Sequence, residues 1–475
     1  MDLTNYLAKA GLSKQKHSIK KIFFFRICGT GMGTAAIMLK NAGFHVEGYD
    51  REYSPPMSTY LKSTKIPLHK DISQELLTQF DLVVTGNVVR KDSEDAHFIE
   101  RSGVKFASFP ATLGALVLDN LEVIGIAGTH GKTTTTWLAT QIYENLGEDP
   151  GYFIGGVLEG RDSGKIGSGK FFIESDEYDC AYFEKVSKFQ KYAIDHLLLT
   201  SLEFDHADIF NSLDDIVDEF KLLLPTVNGK LIANNEYPAI EQLKKMKITK
   251  ARWFFYGPQS SAGPEILNSN ISGTKFKLTL DKDYRFKTNL TGYHNILNLS
   301  AVLIFALQDG HQPEQLNRAI ANLKMVKRRQ EYLGTYNGSI VIDDFAHHPR
   351  AVSLTIDAIK EKYPGKEVIT FLEPRSATAR SDIFQQEFTE ALKKSDQVVL
   401  IQPISTTVKF AKDLDTRKMA SELNEQNIPT IIVTKLTQLE AALIEYATPN
   451  RLILFLSNST CLGLWKSDFM QKIKQ

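Results

Sequence analysis

A chain of 475 residues is too long for one ordinary hydrophobic core, so two to four domains are expected. Its composition is globular, with 43% hydrophobic residues, and 56 basic residues cancel 56 acidic ones, which excludes a global field that would recruit nucleic acid or an anionic membrane. Any anionic ligand must be caught by local sites.

Residues 1–20 form a polar leader, readable as one short helix or as disordered chain. Lys9, Lys14 and Lys16 precede no apolar core of signal-peptide length, and runs such as residues 452–456 are too short to span a bilayer, so no membrane segment is expected. Residues 21–28 read as an aromatic-rich strand running into Gly29-Thr30-Gly31-Met32-Gly33, with a helix over 34–42 and a strand over 44–49 that ends at Asp50. This unit resembles a dinucleotide fingerprint only loosely, because G-x-G-x-G is not G-x-G-x-x-G, and it reads as a ligand site or as a structural tight turn. A further strand over 80–85 ends in Gly86-Asn87, where parallel strands line a crevice at their carboxyl ends.

Residues 121–143, LEVIGIAGTHGKTTTTWLATQIY, are the stretch around which the chain is organised. A β-branched apolar run, a glycine loop and a helically spaced segment make a phosphate cradle: glycines turn backbone N–H groups inward, the helix start adds its positive dipole end, Lys132 brings a cation and Thr133 offers Mg²⁺ a hydroxyl. The strict G-x4-G-K-T spacing fails, since Ile126 stands where the first glycine belongs.

Strand-like residues 171–173 run into Glu174-Ser175-Asp176-Glu177-Tyr178-Asp179, and strand-like 196–200 into Ser201-Leu202-Glu203-Phe204-Asp205-His206. Acidic and imidazole groups at two strand ends suit Mg²⁺ beside a phosphate loop; a solvated acidic loop and a structural histidine are the plainer alternatives. Residues 253–288 suggest a small β appendage. Gly292-Tyr293-His294-Asn295 then opens a helix over 296–308, where Asn295 is either a cap or a reader of a purine edge. Lys327-Arg328-Arg329 reads as the charged end of a helix or as a clamp on a phosphoryl group. From Gly338 four strand-then-helix units, with strands over 339–342, 367–371, 397–401 and 451–456, make a separate doubly wound domain. Within it, Arg375 stands just past a strand end, a natural fork for a carboxylate. Cys28, Cys180 and Cys461 are far apart, odd in number and in no metal-ligand spacing, which favours a reducing, cytoplasmic setting over a disulfide framework.

With these motifs in place, the chain resembles the ATP-dependent Mur ligases from end to end. The matching segments are Gly128-Thr129-His130-Gly131-Lys132-Thr133, the G-x-H-N-x-x-N run from Gly292, the arginine pair Arg328-Arg329, and D-D-x-x-H-H-P from Asp343. Within the family, residues 53–59, 176–183, Ser187-Lys188-Phe189, 202–210 and 372–376 are similar to the branch that recycles peptidoglycan. The branch that adds L-alanine is the nearest rival; it favours D-E-S-D and D-H-M-D at the matching places.

The resemblance implies an α/β fold of three domains after the leader: a Rossmann-like UDP-N-acetylmuramate domain over 21–120, a P-loop ATPase over 121–331 and a Rossmann-like C-terminal domain over 332–475. It implies ATP and Mg²⁺ as cofactors, the tripeptide L-alanyl-γ-D-glutamyl-meso-diaminopimelate as amine substrate, an acyl-phosphate intermediate, and a monomer or weak homodimer. The implied ATP contacts are Gly128, Thr129, His130, Gly131, Lys132, Thr133, Thr134, Asn295, Arg328, Asp344 and His347. Metal ligands would be Thr133, Glu174 and His206; catalysis would rest on Lys132, Glu174, His206 and Arg328. Gly29, Thr30, Gly31, Met32, Asp50 and Asn87 would hold the UDP-sugar, and Arg375 and Ser376 the peptide.

Three single residues and one turn depart from the family pattern. Arg26 replaces the first glycine of the N-terminal turn, where it would pair with the UDP pyrophosphate or obstruct it; Ser201 and Ala377 each replace an asparagine; Ser459-Thr460-Cys461 replaces a glycine-rich turn. A nicotinamide-dependent oxidoreductase is an alternative that leaves residues 128–133 without a role, and a non-catalytic nucleotide-binding protein is another.

Overall fold

The computed structural model describes residues 1–53, 57–156, 158 and 160–474; Ser54, Pro55 and Pro56, part of one resemblance motif, lie outside the described residues. The chain packs as two compact units. One holds Met1–Glu203, Asp214–Ser260 and Ala301–Ala319, the other Phe204–Leu213, Ser261–Ser300 and Ile320–Gln475.

The first unit contains two large sheets and a two-stranded antiparallel ribbon, Asp179–Ala181 with Glu184–Ser187. The N-terminal sheet is fully parallel, with spatial order Leu68–His69, His45–Tyr49, Lys21–Phe25, Leu82–Thr85, Phe106–Ser108. Starting in the middle and reversing direction is the order of a doubly wound nucleotide-binding sheet. Lys21–Phe25 is central, and Ile22, Phe23, Phe24 and Phe25 are all fully buried, which explains its near-continuous apolar run. The leader is ordered. Its helix Lys9–Gln15 buries Leu12, and the Leu7 N–H donates to the Phe106 carbonyl at 2.9 Å, adding a bridge to the sheet edge.

The second sheet of this unit runs Arg252–Tyr256, Lys230–Asn234, His196–Leu199, Glu122–Ala127, Lys170–Ser175, Gly151–Phe153, Gly164–Lys165, parallel except for its last pair. Arg252–Tyr256, expected in the β appendage, is instead an edge strand here, because it pairs in register with Lys230–Asn234. The appendage is the antiparallel Glu265–Asn270, Gly273–Thr279, Asp283–Thr288 sheet of the second unit.

The second unit also carries a six-stranded sheet, ordered Glu331–Tyr336, Ser339–Asp344, Arg451–Ser457, Glu367–Glu373, Gln397–Ile401, Thr430–Val433. Two of its strands escape a strand-then-helix reading: Glu331–Tyr336 pairs antiparallel, and Thr430–Val433 is short. Apolar clusters cover both faces, one around Phe388 and Leu454, the other around Phe371 and Phe455. The helix before the arginine pair, Pro313–Ala319, ends well short of Lys327, so Arg328 is no helix terminus. Its backbone is left-handed, with φ 61°.

Candidate active site

Glu122–Ala127 lies at the centre of its sheet, so the loop that follows emerges where parallel strands end, flanked by the ends of His196–Leu199 and Lys170–Ser175. Gly128 has φ 131°, and a Cβ there would sit 2.5 Å from Thr200 Oγ1 and 2.7 Å from the Ser201 carbonyl oxygen. Only glycine fits. Thr129 Oγ1 donates to the Glu203 carbonyl at 3.0 Å and accepts from the Glu203 N–H at 2.9 Å. The His130 N–H donates to Ser201 Oγ at 2.7 Å, so the serine that replaces asparagine clamps the loop; His130 Nε2 lies 3.4 Å from Glu203 Oε2.

Gly131, left-handed at φ 85°, is the N-cap of helix Lys132–Asn145, and no side chain caps that end. The helix dipole and first N–H groups therefore face the loop. Lys132 Nζ donates to the Gly128 carbonyl at 2.6 Å and lies 3.1 Å from Glu177 Oε2. Burial alone pulls this ammonium down, but the Glu177, Asp176 and Glu174 carboxylates outweigh it and leave its pKa raised. Lys132 is therefore a fixed cation. Thr133 follows it half-buried, and Thr134 is buried.

Glu174 stands in Lys170–Ser175, and its Oε1 accepts from the Gly155 N–H at 2.9 Å. Thr133 and Glu174 offer oxygen donors of the kind Mg²⁺ takes, and the glycine cradle cannot hold a Cβ; the residues fit a Mg²⁺-nucleotide.

In the N-terminal sheet, helix Thr30–Asn41 begins inside the glycine run, with Gly29 as an uncapped N-cap, earlier than the helix expected over 34–42. Gly31 approaches Phe109, Met32 is buried with its sulfur near Gly86, and Asn87 is exposed past Leu82–Thr85. Asp50 Oδ2 accepts from the Cys28 N–H at 2.8 Å. Arg26 occupies the left-handed region, φ 65°. Its Nε and Nη2 donate to Asp95 Oδ2 at 2.9 and 2.5 Å, and Nη1 lies 3.4 Å from Oδ1 of Asp50, the residue that accepts from Cys28.

The second unit carries the remaining expected residues. His206 has φ 57°, and its N–H donates to Asp205 Oδ1 at 2.7 Å. Asn295 is neither the first residue of its helix nor its cap: the helix spans Tyr293–Gln308, and the buried Asn295 Nδ2 donates to the Thr291 carbonyl at 2.9 Å. Arg328 Nε donates to Asp343 Oδ2 at 2.7 Å and Nη2 to the Ser457 carbonyl at 2.6 Å. Burial, opposed by Arg328 and reinforced by Asp344 and Glu331, pushes the Asp343 carboxyl up to about 6. Asp344 accepts from the Ala346 and Gln330 N–H groups, each at 2.8 Å, and burial raises its pKa as well. His347 Nδ1 lies 2.9 Å from the Phe345 carbonyl, while His348 caps helix Pro349–Lys362.

Arg375 is exposed just past Glu367–Glu373, and Ser376 Oγ accepts from the Ala379 N–H at 3.2 Å. Beside it stands Arg380, which motif matching missed. It is buried, Nη1 donates to the Ser405 carbonyl at 2.8 Å, and burial, with Arg375 nearby, lowers its pKa. The substituted turn near the end holds Cys461, Leu462 and Gly463 at φ 47°, 54° and 91°, and the Cys461 N–H donates to Glu373 Oε2 at 2.9 Å. Two non-glycine residues thus stand in the left-handed region here. No helix among the described residues is long and apolar enough to cross a membrane.

Residues 21–120 match the Mur ligase family catalytic domain, 126–306 the Mur ligase middle domain, and 328–459 the Mur ligase glutamate ligase domain. The chain is similar to the UDP-N-acetylmuramate–L-alanyl-γ-D-glutamyl-meso-2,6-diaminoheptandioate ligase of Escherichia coli, 37% identical over 81% of this chain and 85% of that one. The protein of the same name from Haemophilus influenzae is 31% identical over 96% of this chain and 100% of its own. The crystal structure of a murein peptide ligase from Psychrobacter arcticus superposes with a TM-score of 0.69 at 26% identity, covering 94% of this chain and 97% of that one. The α/β fold built on three parallel or mostly parallel sheets, the glycine cradle with its fixed lysine, and three domain matches in chain order have one common source: the chain belongs to the Mur ligase family.

Proposed function

We propose that this protein is an ATP-dependent amide ligase that joins UDP-N-acetylmuramate to the tripeptide L-alanyl-γ-D-glutamyl-meso-diaminopimelate in peptidoglycan recycling, through an acyl phosphate. The observation that carries the reading is the Lys132 ammonium fixed between the Gly128 carbonyl and Glu177 at an uncapped helix start, in a chain whose relatives are named for that reaction. A carboxylate is a poor electrophile. Its phosphorylation creates a leaving group, and fixed cations stabilise the charge that develops, one well-placed group being worth about 3 to 4 kcal/mol.

In this reading Gly128, Thr129, His130, Gly131 and Thr134 shape the cradle and Lys132 holds the β- and γ-phosphates. Thr133 and Glu174 hold one Mg²⁺, His206 helps hold a second, and the ions supply charge neutralisation on the phosphoryl oxygens. Asn295 reads the adenine, Asp344 and His347 the ribose, and Arg328 a phosphate. Gly29, Thr30, Gly31, Met32, Asp50 and Asn87 take the UDP-sugar; Arg375 and Ser376 take a peptide carboxylate. The corresponding domains are 21–120, 121–331 and 332–475, and the free cysteines support a cytoplasmic setting. The test is ADP release that requires UDP-N-acetylmuramate and tripeptide together. Release with neither, or binding of both without release, overturns it.

A further inference from the structure

Ser187-Lys188-Phe189 is a motif to which the phosphate cradle and the metal set give no task. Its backbone is clamped. Ser187 Oγ lies 2.7 Å from the Glu177 carbonyl and 2.6 Å from Glu219 Oε2, the Lys188 N–H donates to the Tyr178 carbonyl at 3.0 Å, and Phe189 is buried against Phe220. The Lys188 side chain is mostly buried, with its ammonium 2.8 Å from Asp176 Oδ2, 5.5 Å from the Tyr178 ring centre and 5.9 Å from the Phe109 ring centre.

Phe109 lies beside both this ammonium and the N-terminal glycine turn. A Cβ on Gly31, in the first turn of helix Thr30–Asn41, would meet the Phe109 ring at 3.3 Å. The same ring stacks on Phe153, 6.3 Å between centres and 19° apart in plane, and two residues on the Gly155 N–H donates to Glu174. On its other side, Asp176 adjoins Glu177, the partner of Lys132. Lys188 thus stands against the Phe109 and Tyr178 rings, with the N-terminal glycine turn across Phe109 and the Asp176-Glu177 pair linking it to Lys132. An ammonium has three donors, and among the described residues Asp176 is its one carboxylate partner. Aromatic faces stabilise the cation while leaving its remaining donors for an anion.

We propose that Lys188 contacts the lactoyl carboxylate of UDP-N-acetylmuramate and holds it between the N-terminal glycine turn and Lys132. This rests on the ligase reading and deepens it, since that carboxylate is the group to be activated.

The test compares equilibrium binding of UDP-N-acetylmuramate with that of UDP-N-acetylglucosamine, the same nucleotide sugar without the lactoyl carboxylate, in the wild type, Lys188→Gln and Lys188→Arg. Lys188→Gln is expected to weaken UDP-N-acetylmuramate about tenfold or more, to leave UDP-N-acetylglucosamine within about twofold, and to be largely rescued by Lys188→Arg. An equal loss for both sugars means structural damage and overturns the contact, as does no loss for either. A wild type that binds the two sugars equally, without carboxylate preference, overturns the ligase reading and the Lys188 contact together; a wild type that prefers the muramyl sugar while Lys188→Gln keeps that preference overturns only the contact.

Discussion

Lys132 and Glu177 form a buried ion pair, Nζ to Oε2 3.1 Å, with Glu177 3% exposed. Removing one member of such a pair leaves a buried charge without its partner, at a cost of about 3 to 5 kcal/mol. Lys132→Ala is therefore expected to lower unfolding stability by about that amount and to abolish ATP turnover. Adding Glu177→Gln should restore most of the stability and none of the turnover. Urea melts and phosphate-release assays on both variants check this; turnover in either one contradicts the cation's role.

Gly128→Ala tests the cradle. The residue is at φ 131°, and the added Cβ would meet Thr200 Oγ1 at 2.5 Å and backbone atoms of Ser201 at 2.7 and 2.8 Å. Those atoms are anchored, since Thr200 Oγ1 donates to the His130 carbonyl and lies 3.1 Å from that of Ala127. The loop must shift, with a stability loss of about 1 to 3 kcal/mol and a loss of ATP affinity of about tenfold or more. Unchanged ATP binding by calorimetry would show that the loop does not hold phosphate.

Arg26 allows backbone and side-chain effects to be separated. Arg26→Ala and Arg26→Gly both remove the guanidinium from Asp95 and Asp50, but only alanine keeps the left-handed strain at φ 65°. Arg26→Gly should therefore be more stable than Arg26→Ala by about 1 kcal/mol, both falling below the wild type. Thermal melts of the pair decide it. Equal stabilities would mean that the turn is not left-handed.

Two buried groups near the arginine pair respond to acid in opposite senses. Asp343, pushed up to about 6 from its ordinary 3.8 chiefly by burial, keeps in the folded chain a proton that the unfolded chain releases. Its contribution to stability is present below about pH 4 and lost as the pH rises through about 6. His294, lowered to about 4 by burial and by Arg329, refuses a proton that the unfolded chain accepts below its ordinary 6.5, so its contribution is lost as the pH falls from about 6.5 toward 4. The His294 ring resonance should not titrate above about pH 5, and Asp343→Asn should remove the Asp343 component of the stability profile. A His294 midpoint near 6.5 would contradict its burial.

Much of the fold was legible because buried parallel strands write themselves as apolar runs: Lys21–Phe25, Glu122–Ala127 and Arg451–Ser457 are each buried along nearly their whole length. Edge strands hide. Arg252–Tyr256 and Glu331–Tyr336 are half-covered, so their partners, not their composition, decide where they belong. The phosphate loop was readable from its glycines and lysine. The direction of Arg26 was not, because it depends on Asp95, far along the chain, and Arg380 escaped because its position follows from a turn and its burial from the surrounding fold. Left-handed residues such as Arg328 and Cys461 carry no composition signal at all.

The amine that the ligase accepts can be read from a competition reaction. Enzyme, ATP, Mg²⁺ and UDP-N-acetylmuramate are supplied with equal concentrations of L-alanine and L-alanyl-γ-D-glutamyl-meso-diaminopimelate, and the nucleotide-sugar products are read by mass spectrometry. UDP-muramyl-tripeptide is expected as the dominant product, with one ADP released for each amide bond formed. UDP-muramyl-alanine as the main product, or ATP consumption without either product, would contradict the proposed function.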